Sequence, residues 1–277
     1  MRITATPLVL AWKTILTLFA VVMYMYALGR MKVTVFFFAY FTYWAATANC
    51  MYLLLSGWNS WICFLDEPGI VAAWCIHCTW RPMWLLFEIA THSGLGSAVG
   101  MWGAIAYFGG IEELKQGKPL DASDIVWHGL MLILTMVDGV AFNNIEFRWA
   151  HWSGVLLPLA IVYILWTVIH AYAIGENPEL SSDDDEFNDD AIYAIIAWKE
   201  DWVSSLLICL ISFFGLGFLG FGFLRLVSSR IRSILRRGSQ QGMYVWMGVS
   251  NHPVVVSIPS FSNESLDEGE KQVTTYA

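Results

Sequence analysis

SGVLLPLAIVYILWTVIHAYAI, residues 153–174, contains no Asp, Glu, Lys or Arg. A helix needs about 20 residues to cross the roughly 30 Å hydrocarbon core of a bilayer, and this stretch is that long. Five more apolar stretches of comparable length flank it, at residues 8–29, 33–55, 82–108, 125–143 and 202–226. Backbone polar groups in lipid must be satisfied within the segment, so each is expected to be a helix. The pattern predicts an all-α fold, a polytopic membrane helix bundle of about six transmembrane helices.

Composition agrees. Hydrophobic residues make up 57% of the 277 and charged residues 14%, against about 25% charged in a typical soluble domain. Mean hydropathy is +0.55. The 15 tryptophans and 11 tyrosines suit aromatic belts at the two interfaces. A soluble protein with six buried helices would need far more polar surface. The first apolar run carries Lys13 and lacks a small-residue cleavage site, so it reads as a retained helix. The organisation expected is a six-helix transmembrane domain over 1–237 and a mobile cytoplasmic tail over 238–277. Residues Ile70–Trp80 read as an interfacial segment ahead of the third span.

Charge is uneven. The loop after the fifth helix holds Glu176, Glu179, Asp183, Asp184, Asp185, Glu186, Asp189 and Asp190. Arg225, Arg230, Arg232, Arg236 and Arg237 follow the sixth. Basic residues stay cytoplasmic, which puts both termini inside. Arg30, Lys32, Lys115, Lys118 and Lys199 then fall outside, and the other ten of the 15 basic residues inside. The acidic loop reads as a solvated turn, and the sequon Asn263–Glu264–Ser265 would lie on the unmodified inner side. Cys75 and Cys78 form one CxxC, half of what a structural zinc site needs. Nothing in the charge pattern suits nucleic acid.

Ionisable groups within apolar helices are costly and are functional candidates by default. They are Glu88 and His92, four apart on one face, with His128, Asp138 and His170. Thr42, Thr47 and Asn49 add polarity to the second helix. Asp138 lies about 15 Å beyond His128 and is turned by roughly 80°, so it does not orient that ring. A threonine becomes a nucleophile when a base takes its proton, and neutral histidine is the usual base. Thr42 and His128 could form such a pair. On the residues alone the commoner arrangement is a threonine whose hydroxyl bonds back to the preceding turn.

At these residues the chain resembles the androgen-induced-gene/Rolling stone group of multi-helix membrane proteins. The matching pieces are Phe38–Ala39–Tyr40–Phe41–Thr42–Tyr43–Trp44, Trp84–Leu85–Leu86–Phe87–Glu88–Ile89–Ala90 and Trp127–His128–Gly129–Leu130 with Asp138 ten residues on. Pro158, Tyr163–Ile164–Leu165–Trp166 and Ala191–Ile192–Tyr193–Ala194–Ile195–Ile196–Ala197–Trp198 complete them, in order, across about residues 30–226. The resemblance implies an intramembrane hydrolase of lipid esters, similar to hydrolases of fatty acid esters of hydroxy fatty acids. It puts the nucleophile at Thr42 and the base at His128. It implies no cofactor, and as partners only membrane lipids and a small lipid-ester substrate. Thr135, seven residues after His128, is a candidate oxyanion donor. The Rolling stone branch instead implies a non-enzymatic protein of adhesion, fusion or scaffolding. A third reading, from the residues alone, is a metal-dependent membrane hydrolase with ligands from Glu88, His92, His128, Asp138 and His170. One geometric difficulty attends the Thr/His pair. The predicted helix starts leave the two residues offset by roughly 9 Å along the bundle.

Overall fold

A computed structural model describes residues 6–31, 34–65, 70–107, 122–174 and 196–240. The acidic loop, the sequon and most of the tail lie outside the described residues. So do the side chains of Cys75 and His77.

The described residues form six helices and no strand. Helix α1 spans Pro7–Arg30. The Thr6 side chain accepts from the N–H of Val9, and Pro7 opens the first turn, as expected of an N-cap and an N1 proline. Its buried residues Val9, Leu10, Lys13, Leu16, Ala20 and Ala27 form one stripe. Leu8, Ile15, Leu18, Val22 and Met25 stand exposed on the rest of the surface, as they would against lipid tails. Helices α2 (Phe41–Leu65) and α3 (Ile70–Tyr107) come next. Helix α4 (residues 122–142), α5 (Trp149–Ile174) and α6 (residues 202–240) are each continuous but contain π-helical turns. Pro7–Arg30, Trp149–Ile174 and Trp202–Leu235 are each long and apolar enough to cross a membrane, and Val126–Phe142 is a shorter apolar helix. The chain is a polytopic membrane helix bundle.

Three boundaries depart from expectation. The second apolar run does not begin as a helix. Thr34–Ala39 is a 3₁₀ turn in which Phe37 is buried, stacked on Tyr43 at 4.1 Å between centroids and edge-on to Tyr24 at 5.2 Å. Packed aromatics and lipid-facing aromatics look alike in hydropathy, so α2 starts eight residues later than expected and runs on to Leu65. Residues Ile70–Trp80 are not a separate interfacial segment. They are the first turns of α3, which continues through Pro82. Beyond 226, α6 keeps its helix through its arginines to Gln240.

Helices α2 and α4 begin at the same end of the bundle and run parallel. Three side-chain pairs join them, Thr42–His128, Asn49–Thr135 and Tyr52–Asp138, each 86 residues apart in sequence. Steps of seven and three residues are those of a helix seam, so the two helices lie in register along a polar ladder. Helix α3 closes against α4 at Gly139, where any Cβ would overlap the ring of Phe87. Asn144, with φ 51°, ends α4 in the left-handed conformation that asparagine tolerates. The amide of Ile145 then reaches back to the carbonyl of Gly139 at 2.8 Å.

Candidate functional site

Thr42 is the second residue of α2. The carbonyl of Tyr40 accepts from the amides of Tyr43 and Trp44 at 3.1 and 3.4 Å, which fixes the first turn. Phe41 packs on Tyr163 and Phe213, and Trp44 on Tyr163. The Tyr163 hydroxyl donates to the carbonyl of Ala39 at 2.9 Å, tying α5 to the chain just ahead of α2.

His128 sits near the start of α4, level with Thr42. The Thr42 Oγ1 and His128 Nε2 are 3.0 Å apart. The expected axial offset is absent because the two helix starts, Phe41 and Ala122, are not level across the bundle while the two side chains are. The other ring nitrogen, Nδ1, lies 2.8 Å from the carbonyl of Asp124. A carbonyl only accepts, so in the neutral ring Nδ1 carries the hydrogen and Nε2 is the acceptor. The Thr42 hydroxyl therefore donates to His128. Ser97 Oγ lies 2.8 Å from the same Thr42 oxygen, and with the threonine proton committed to the ring, Ser97 is the donor. The chain runs Ser97 to Thr42 to His128 to the Asp124 carbonyl, over three helices. Thr42 and His128 are half-buried and Ser97 is buried. A hydroxyl hydrogen-bonded to an imidazole acceptor is the arrangement that nucleophilic catalysis requires.

Thr135 is not part of this site. It is fully buried one ladder step away, and its hydroxyl donates to Asn49 Oδ1 at 2.6 Å. Asp138 belongs to a second cluster nearer the opposite end. Its Oδ2 accepts from Tyr52 at 2.7 Å, Ser56 at 2.7 Å and Asn143 at 2.9 Å. Lys13 Nζ lies 3.6 Å from Asp138 Oδ1 and donates to Ser56 at 2.8 Å and Asn143 at 2.6 Å. All five side chains are buried.

Glu88 and His92 share a face but do not bond to each other. Glu88 Oε2 pairs with His151 Nδ1 at 2.7 Å, and its Oε1 accepts from the Trp84 indole at 3.2 Å and the Arg148 amide at 3.3 Å. His92 packs against Trp152 and Phe221 instead. His170 is buried beside Trp166. The five ligands of the metal reading are thus dispersed over separate neighbourhoods. Among the described residues no three His, Cys, Asp or Glu side chains gather closely enough to hold one ion. Cys50, Cys63, Cys78 and Cys209 are free thiols.

Sequence reasoning missed Ser97, Lys13, Tyr52 and Asn143. Lys13 carried a signal, being the lone charge within the first apolar run, residues 8–29. Ser97 carried none, since serine is ordinary in membrane helices.

The fold and site define an all-α membrane bundle with a threonine–histidine pair at one end. No family model, no characterised protein and no solved structure matches this chain.

Proposed function

We propose that the protein is an intramembrane hydrolase of lipid esters, with Thr42 as nucleophile and His128 as general base. The observation that carries this is the 3.0 Å contact between Thr42 Oγ1 and His128 Nε2, with the ring tautomer set by Asp124. The resemblance to the androgen-induced-gene branch points to the same two residues. His128 Nε2 takes the Thr42 proton as Oγ1 attacks the ester carbonyl. The nucleophile sits at the positive end of α2, which favours the charge that develops on attack. Ser97, already a donor at this oxygen, is placed to turn toward the oxyanion. The carbon–oxygen bond to the alcohol then breaks, and His128 returns its proton to that leaving oxygen. Water, deprotonated by His128, attacks the acyl-threonine, and the proton goes back to Thr42 as the acid leaves.

The surroundings suit a lipid. Phe41, Trp44, Tyr163 and Phe213 pack around the start of α2, while Trp102 and Leu130 near the pair are exposed on the bundle surface. Both termini are assigned to the cytoplasm, on the arginines that end α6, and the Thr42 site then faces the opposite leaflet.

The test is ester hydrolysis by the full chain in nanodiscs. Thr42→Val and His128→Gln should each abolish turnover of a long-chain ester while keeping wild-type unfolding behaviour. Undiminished turnover in either folded variant removes the proposal. Absence of any turnover in folded wild type favours the non-enzymatic Rolling stone-like reading.

A further inference from the structure

The backbone beneath the His128 ring, which faces Thr42, is not α-helical. Residues Val126–Leu130 form a π-helical turn, closed by the amide of Met131 donating to the carbonyl of Val126. His128 itself has φ −98° and ψ 16°. An α-helical ψ is near −42°, so the His128 carbonyl is swung by roughly 60° out of the helical direction. One side chain receives it. The indole N–H of Trp102, on α3, donates to the carbonyl of His128 at 2.9 Å. Trp102 stands five residues beyond Ser97, so α3 bonds to both members of the pair, to Thr42 through Ser97 and to His128 through Trp102.

We propose that Trp102 is the positioning residue of the site: its indole N–H holds the His128 carbonyl outward and so keeps the wide turn that aims Nε2 at Thr42. The inference rests on the Thr/His reading for its purpose, but the hydrogen bond it explains is measurable without any turnover. If the carbonyl swings back, the turn closes toward an ordinary helix. Gaining or losing one residue in a helix rotates the remainder of that helix by about 100°, which is enough to remove the ring from Thr42. Wide turns of this kind recur at functional sites. Trp102 is 42% exposed, so core filling is a small part of what it does. An interfacial tryptophan that merely anchors the bundle would leave the ring untouched when altered.

The experiment uses the full chain in nanodiscs, labelled with ¹⁵N in its histidine rings. The His128 resonances are identified by their loss in His128→Gln. Thr42→Val should shift the His128 Nε2 signal, since it removes the donor. Trp102→Phe should shift it as well, and should slow fluorophosphonate labelling by on the order of a hundredfold, the penalty typical of a misplaced catalytic group. Trp61→Phe is the matched control. Its indole is similarly exposed and donates to Thr14 at 3.0 Å, and its loss should leave both readouts unchanged. Should Trp102→Phe fail to fold, benzothienylalanine at 102 keeps the shape and removes only the N–H, with the same expected shift. A wild-type Nε2 signal in the Trp102 variant overturns the inference while leaving the hydrolase reading intact. An Nε2 signal that does not respond to Thr42→Val overturns both. A shifted signal in a chain that hydrolyses nothing supports the positioning role and removes the hydrolase.

Discussion

Replacing Lys13 by Met while Asp138 stays leaves a carboxylate, fully buried, inside the bundle. Replacing Asp138 by Asn while Lys13 stays strands an ammonium group in the same place. Three donors, from Tyr52, Ser56 and Asn143, still serve the carboxylate in the first case. Ser56 and Asn143 still accept from Lys13 in the second. Those bonds soften each loss but do not neutralise the charge. Breaking a buried pair from one side costs about 3–5 kcal/mol. Removing both charges together relieves both penalties, so the double variant should lose less than the sum of the singles, by about 0.5–3 kcal/mol, the coupling of residues in contact. Reversible unfolding of detergent-solubilised protein, monitored as a double-mutant cycle, measures this directly. Additive losses would mean that the two groups do not act as a pair, and the 3.6 Å contact would carry no energetic meaning.

The same geometry sets other outcomes. Thr42→Ser keeps the hydroxyl and should retain turnover within about tenfold of wild type, measured with a long-chain ester, because the nucleophile survives. Ser97→Ala should slow turnover by on the order of ten- to a hundredfold, in kcat more than KM, if its hydroxyl meets the developing charge. Gly139→Ala should destabilise the bundle by about 1–3 kcal/mol in thermal unfolding, as overpacking does. Combining it with Phe87→Leu should recover part of that loss, because the ring is what the new methyl meets. Thr135→Val should lower stability by roughly 0.6–2 kcal/mol, the range for one hydrogen bond between membrane helices, and leave turnover unchanged.

The membrane architecture is legible in the residues because lipid imposes one rule on every span, and most of the helices fall near their expected starts. The exception that matters for the site is α2. Its register depends on Phe37 burying itself against Tyr43 and Tyr24, a tertiary choice that hydropathy does not encode. With that start, Thr42 stands in the first turn of α2, beside His128. The pairing of Glu88 with His151 rather than His92 has a similar cause. Position on one helical face makes two residues neighbours, but the stronger partner arrives from α5. The parallel ladder at a constant separation of 86 was in principle readable from Thr42, Asn49 and Tyr52 against His128, Thr135 and Asp138. Recognising it requires knowing that α2 and α4 touch, and sequence order alone does not say so.

The central claim is that the Thr42 oxygen is the acyl acceptor. Treat the folded full-length protein with a fluorophosphonate, in which the attacking oxygen displaces fluoride from phosphorus, and map the adduct by peptide mass spectrometry. The account predicts a phosphonate on Thr42, absent when His128 is Gln. An adduct on Ser97 or on any other side chain, or none at all on a protein that hydrolyses the ester, would contradict it.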